Sequence, residues 1–335
     1  MKWIAFLVAL PLCAAVDGTV INRTTGQPQG GATVSIYKLG EAGMESLETV
    51  KSDAAGKFQF QMTPGPGPHL IQAAFEAVTY NKMMPPGTPR TNIVVEVFHS
   101  QAKPGDAKVT QHMLLFEPFD GKLVVSENIV YENNGKLTYN DPAGTVKVHL
   151  PEATGGKARI MCTAPNGMPI ERTPGATKSA GIYSVDFPIK PGETRFQVTY
   201  EVPLPSPAVF KGKILHKEGT TRLVTPRGVS LKGEGLTELG REPATQAAIY
   251  NLTAKDFQVE IEGTGSLREP AASGDDEGPG IKEVMPRVYT KLPVVLALAF
   301  AILLLGFVAH YREGNAKIAE PVAAAATPAK GKRRA

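Results

Sequence analysis

The sequence predicts an all-β protein: two β-sandwich domains followed by one C-terminal transmembrane helix. Short segments in which apolar and polar residues alternate, separated by turn residues, occupy most of the 335 residues. A short apolar run opens the chain, and an uncharged apolar segment of 18 residues lies near its end. These observations divide the chain into segments 1–15, 16–100, 106–265, 266–290, 291–311 and 312–335.

Residues 1–15 have the pattern of a secretory signal peptide. Lys2 precedes the apolar run 3–12, and small residues follow it up to Ala15, where we predict cleavage. Lipid attachment at Cys13 is the alternative, and the bulky Leu12 disfavours it because lipoprotein signals usually have small residues there.

Residues 16–100 predict the first sandwich, with a tight turn near its middle. Asp53 can accept hydrogen bonds from its own backbone and Gly56 can adopt a positive φ, so we expect a hairpin between the strands on either side. Phe58 and Phe60 are expected to point into the core. The predicted strands are 16–21, 32–37, 46–51, 58–62, 69–75 and 91–98.

Residues 106–265 predict a second, larger sandwich because they contain no long helical period. One strand has an apolar face formed by Phe196, Val198, Tyr200 and Val202, and another has Phe257, Val259 and Ile261. The other predicted strands are 109–116, 122–131, 145–150, 182–187, 209–216 and 221–225. Cys162, in a further predicted strand, is the one cysteine left after signal removal and is expected to be a buried, inert thiol.

The C-terminal segments predict a membrane anchor. Residues 266–290 resemble a flexible stalk, and residues 292–309, if helical, rise about 27 Å, enough to cross the hydrocarbon core. The basic tail 312–335 places the C-terminus in the cytoplasm by the positive-inside rule. We therefore expect a single-pass protein of the cytoplasmic membrane whose N-terminal domains are exported, to the periplasm or the extracellular space.

The net charge of +4 belongs to the ends of the chain. Lys2 contributes one positive charge, and the tail from residue 312 contributes four, as six basic and two acidic residues, which leaves about −1 for residues 16–291. Nucleic-acid binding therefore lacks an electrostatic basis. Anionic lipids of the inner leaflet are a conceivable partner for the basic tail, although a topology signal alone is the simpler interpretation.

The N-terminal region resembles a known family. The stretches VDGTVINRTTGQPQGGATVSIYK, KSDAAGKFQFQM and GPHLIQAAFEAVTY are similar to the carboxypeptidase regulatory-like domain, a transthyretin-like sandwich. The similarity covers about a quarter of the chain, and His69 departs from it because the family usually has tyrosine there. The middle region resembles the uncharacterised second domain of some bacterial envelope proteins that carry this module. The matching positions are Gly18, Gly26, Pro28, Gly31, Ala32, Val34, Asp53, Gly56, Phe58 and Phe60.

No residue pattern predicts catalysis, a cofactor or a metal site. His149 and Glu152 spell the H-x-x-E of zinc peptidases, but Pro151 interrupts the pair and His216 is the one later histidine in the exported region. An S-x-x-K at Ser35 lies on a predicted strand, whereas that motif requires a helix start. We therefore predict no catalytic, cofactor-binding or metal-binding residues, and the sequence assigns no binding residues.

These observations favour a non-enzymatic, membrane-anchored cell-envelope protein that displays β-sandwich modules for protein binding or assembly. The alternative is a carbohydrate-binding module at the cell surface or in the periplasm, which needs exposed aromatic rings on one face, for example Tyr80 with Tyr37 or Tyr139. A third possibility is an enzyme whose reactive residues meet only in the fold.

Overall fold

A computed structural model describes residues 16–40 and 43–267. These residues are all-β, which confirms the predicted class: 24 strands and a single 3-10 helix, Glu152–Thr154, with no α-helix in the described part of the chain. No helix within these residues is long and apolar enough to cross a membrane. The predicted signal peptide, transmembrane segment, tail and most of the stalk lie outside the described residues.

The first eight strands form two four-stranded sheets. One sheet has the order β2-β1-β5, with β8 pairing parallel to β1, and the other has the order β4-β3-β6-β7. Their bounds are β1 Val16–Asn22, β2 Gln27–Pro28, β3 Thr33–Gly40, β4 Gly43–Lys51, β5 Lys57–Phe60, β6 His69–Phe75, β7 Val78–Met84 and β8 Ile93–Val97.

Apolar side chains from both sheets form one core. Phe58 and Phe60 are buried there with their rings edge to face, and Val34 and Ile36 are fully buried, as the alternation predicts. Strand β7 was not predicted: its first half alternates, with Val78 and Tyr80 buried, but Asn81, Lys82 and Met83 are all exposed and weaken the pattern.

The predicted turn forms, but the hairpin is wrong. Asp53 Oδ1 accepts hydrogen bonds from the backbone N–H groups of Ala55 (2.9 Å) and Lys57 (2.8 Å), and Gly56 has φ +72°. However, β4 pairs with β3, and β5 pairs with β1 in the other sheet. The buried hydroxyl of Ser52 accepts from Ala32 N and donates to Gln29 O, which ties the chain to the β2–β3 connection as it passes between the sheets.

The remaining strands form one large sheet and three small ones. The large sheet has the order β15-β14-β18-β11-β10-β20-β23-β22; the smaller ones are β13-β17-β16, β19-β24-β21 and the pair β12-β9. The bounds are β9 Ser100–Gln101, β10 Ala107–Phe119, β11 Lys122–Asn133, β12 Thr138–Tyr139, β13 Val146–His149, β14 Arg159–Thr163, β15 Ile170–Arg172, β16 Gly175–Ala176, β17 Ile182–Val185, β18 Gly192–Pro203, β19 Val209–Lys213, β20 Thr220–Thr225, β21 Ser230–Gly233, β22 Leu236–Arg241, β23 Ala248–Leu252 and β24 Asp256–Glu262.

A second core lies between the large sheet and the small sheets of this region. The predicted faces are confirmed, since all four residues of the β18 face and all three of the β24 face are buried. The two cores meet through polar contacts: Tyr80 OH shares a hydrogen bond of 2.9 Å with Thr138 Oγ1, and Thr24 Oγ1 donates to Lys136 O at 2.6 Å.

Candidate functional site

A buried polar network crosses four adjacent strands of the large sheet. Glu127 on β11 lies between His112 on β10 and Tyr200 on β18, and Thr221 on β20 pairs in register with His112. His112 and Glu127 are 4% and 6% exposed. Because a carboxylate in this position loses its hydration, it is retained only with hydrogen-bond donors on its oxygens.

The donors are present on both oxygens of Glu127. Tyr200 OH donates to Oε1 at 2.7 Å, and His112 Nε2 lies 2.9 Å from Oε2. Burial and the adjacent carboxylate raise the pKa of the Tyr200 phenol well above its usual range, so this hydroxyl remains a donor at neutral pH.

The opposite edge of the His112 ring contacts His216. Nδ1 of His112 lies 3.2 Å from Nε2 of His216, and His216 Nδ1 is 2.5 Å from the carbonyl oxygen of Glu218. His216 follows β19 in a loop and is partly exposed. Burial is the main cause that lowers its pKa, to about 4, so its imidazole is neutral at pH 7.

This histidine pair faces a cleft. Two adjoining cavities of about 580 and 450 Å³ share Tyr131, Tyr139 and His216, and the smaller one also contacts His112, Glu127 and His149. Burial lowers the pKa of His149. Lysine side chains also line the smaller cavity: Lys147, Lys213 and Lys217.

A β-bulge brings His112 to this position. In a regular strand, His112 would point away from the side of the sheet on which Val109 lies, but the register of β10 shifts between Val109 and Gln111. His112 therefore shares the buried face with Leu114 and Phe116. His112 was not predicted as a site residue because the bulge leaves no local signature in the sequence.

Glu127 was also missed, although its sequence position carries a signal. It occupies the inward phase of β11 among Leu123, Val125 and Ile129, where the alternation requires an apolar residue. An acidic residue in the dry phase of a strand indicates a buried partner elsewhere in the fold.

The structure brings together two of the three residues weighed as a zinc site in the sequence. His149 and His216 line the cleft, whereas Glu152 is exposed at the start of the 3-10 helix. Within the described residues, no group of three or more His, Cys, Asp or Glu has the geometry to hold a metal ion. Ser35 lies on β3, and its hydroxyl is 2.8 Å from Thr49 Oγ1.

The tyrosines proposed as an exposed platform do not form one. Tyr80 and Tyr139 are 4% and 8% exposed, because the Tyr80 hydroxyl is engaged by Phe98 O and Thr138 between the two cores and Tyr139 packs in the second core. Cys162 is fully buried, and burial raises the pKa of its thiol to about 12, which agrees with the predicted inert role.

Comparison with solved structures gives a weak likeness. No family model and no curated protein matches the chain. Among solved structures, an M1 zinc metallopeptidase E323A mutant from Deinococcus radiodurans is similar over 46% of this chain and 42% of its own, at 13% identity and a TM-score of 0.26. That score is too low to support an argument about fold or activity.

Proposed function

We propose that this chain is a non-enzymatic, membrane-anchored cell-envelope protein that displays two β-sandwich modules outside the cytoplasmic membrane and binds another protein there. The predicted signal peptide and C-terminal anchor support the location. The binding role rests on one feature of the fold, the exposed edge strand β22.

Strand β22 ends the eight-stranded sheet and, among the described residues, pairs with β23 alone. Five of its six residues are exposed, and Leu239 is 57% exposed. Thr253 N donates to Gly235 O, so Gly235 and Thr253 form a hydrogen-bonded pair. Hydrogen-bonded and non-hydrogen-bonded pairs alternate along an antiparallel ladder, and the amide groups of Leu236 and Glu238 therefore point away from β23. An open edge of this kind can accept a strand from another chain.

The polar network supports a role other than catalysis. Both oxygens of Glu127 are engaged by His112 and Tyr200, and Cys162 is buried with a raised pKa. A general base or nucleophile has to reach a substrate atom, whereas the Glu127 oxygens are directed at His112 and Tyr200 and the Cys162 thiol lies in the core.

Cross-linking in native membranes tests the proposal. We expect the full-length protein to form an adduct of defined mass with a second protein. Glu238→Pro should abolish the adduct because proline removes the outward N–H of the edge, whereas Glu238→Ala should retain it. Equal melting temperatures of the two variants would show that the loss is local. Recovery of monomer alone from the unaltered protein would contradict the binding role.

A carbohydrate-binding module is the second candidate, and one observation favours it: Tyr131 and Tyr139 line the cleft together. Buried Tyr80 and Tyr139 leave no flat aromatic platform, so a glycan would have to enter the cleft. A glycan array probed with the full-length protein in detergent tests this, and a blank array across polysaccharides would eliminate it.

A further inference from the structure

The two imidazoles at the cleft present a mismatch of hydrogen-bonding groups. His112 Nδ1 and His216 Nε2 face each other at 3.2 Å with their ring planes inclined by 57°. A hydrogen bond requires a donor on one side, so the proton positions on the two rings decide what this contact is.

The outer nitrogen of each ring is committed to an acceptor. The carbonyl of Glu218 can only accept, so His216 Nδ1 carries hydrogen and Nε2 carries a lone pair. His112 Nε2 faces the Glu127 carboxylate, whose other oxygen already accepts from Tyr200. In the tautomer whose Nε2–H donates to this carboxylate oxygen, His112 Nδ1 also presents a lone pair.

Two lone pairs at this distance repel unless a cation lies between them. One additional proton on the Glu127–His112 pair would supply this positive charge, and so would a metal ion. Metal–nitrogen bonds of about 2.0–2.1 Å at a tetrahedral angle separate two imidazole nitrogens by about 3.3–3.4 Å. The 3.2 Å contact is therefore close to the spacing of two ligands of one ion.

The surroundings match those of metal-ligating histidines. Such histidines donate their second ring N–H to a carboxylate or a backbone carbonyl, and here Glu127 and Glu218 O occupy these places. Thr221 Oγ1 lies 3.5 Å from His216 Nε2, and the cleft of about 450 Å³ has room for water ligands.

We propose that His112 Nδ1 and His216 Nε2 form a two-histidine site for a divalent transition metal ion of the Zn²⁺ or Cu²⁺ class, with water completing the coordination.

The charges around the pair define the selectivity. Lys213 and Lys217 line the cleft and Lys255 Nζ lies 2.9 Å from His216 O, so purely electrostatic attraction of a cation is weak. Imidazole coordination is then the main source of affinity, which favours Zn²⁺, Cu²⁺ or Ni²⁺ over Mg²⁺ or Ca²⁺. This inference does not depend on the proposed protein-binding edge.

Metal titration of the full-length protein in detergent tests the site. We expect saturable 1:1 binding of Zn²⁺ by calorimetry at pH 7.5, with no response to Mg²⁺. Co²⁺ should give the visible absorption of a tetrahedral complex with nitrogen ligands. His216→Ala should weaken Zn²⁺ binding at least tenfold and remove the Co²⁺ spectrum. His149→Ala, in the same cleft, is the matched control and should bind as the unaltered protein does.

Two outcomes would overturn the site. One is the absence of saturable binding by the unaltered protein, in which case the pair shares a proton only. The other is equal binding by His216→Ala, which would place the metal elsewhere. Melting curves of the metal-free variants establish folding, and His216→Gln replaces His216→Ala should alanine prevent it.

Discussion

Tyr200→Phe tests whether the buried carboxylate of Glu127 depends on its donors. The substitution removes one hydroxyl and retains the ring, so no cavity forms at this 4%-exposed position. It leaves Glu127 Oε1 without the donor that now lies at 2.7 Å. A hydrogen bond to a charged group contributes about 1.5–3 kcal/mol. A buried acceptor that loses its donor also gains no water in exchange, so the free-energy cost of its desolvation remains.

We therefore expect Tyr200→Phe to lower the free energy of unfolding by about 2 kcal/mol, which for a unit of this size lowers Tm by roughly 4–8 °C. The assay is thermal and urea unfolding of the full-length protein at pH 7, followed by circular dichroism. Tyr37→Phe is the matched control, because that half-buried tyrosine makes no side-chain hydrogen bond within the described residues.

A double-mutant cycle with Glu127→Gln separates the charge from the packing. In the Gln background, the loss caused by Tyr200→Phe should fall to that of a neutral hydrogen bond, about 0.5–1.5 kcal/mol. The reasoning is refuted if Tyr200→Phe matches the Tyr37→Phe control, or if its cost is the same with Glu127 and with Gln.

Three further predictions concern the turn, a buried histidine and the thiol. Gly56→Ala should destabilise the protein more than Gly31→Ala does. Both glycines have a positive φ, which costs an alanine about 1 kcal/mol, but of the two only Gly56 would place the new Cβ 2.6 Å from Val20 O. Equal urea midpoints of the two variants would contradict this prediction. Burial lowers the pKa of His69, so below about pH 6.5 the unfolded chain binds more protons than the folded protein, and stability falls as the pH drops from there through the folded-state pKa. His69→Phe should therefore reduce the change in Tm between pH 7.5 and pH 5. The same change in Tm in the variant and the unaltered protein would contradict a buried neutral ring at His69. Cys162 should react with a thiol reagent only after denaturation, and rapid labelling of the native protein would show that its strand opens.

The sequence by itself determined the features that depend on local pattern. Alternation with a period of two identified most strands and their buried faces, such as Phe196 to Val202, because it records which side of a strand avoids water. The Asp53–Gly56 turn was also readable, since side-chain capping and positive φ are properties of a few consecutive residues.

Tertiary structure alone decided which strands meet. The turn between β4 and β5 joins two sheets rather than closing a hairpin, because β4 pairs with β3, the strand just before it, whereas β5 pairs with β1 in the other sheet. His112 faces inward because of a bulge, and its neighbours Glu127, Tyr200 and His216 are 15 to 104 residues away in sequence. Alternation reports the face of a residue but carries no information on its partner across the sheet, so the network emerges only when β18, β11 and β10 are placed side by side.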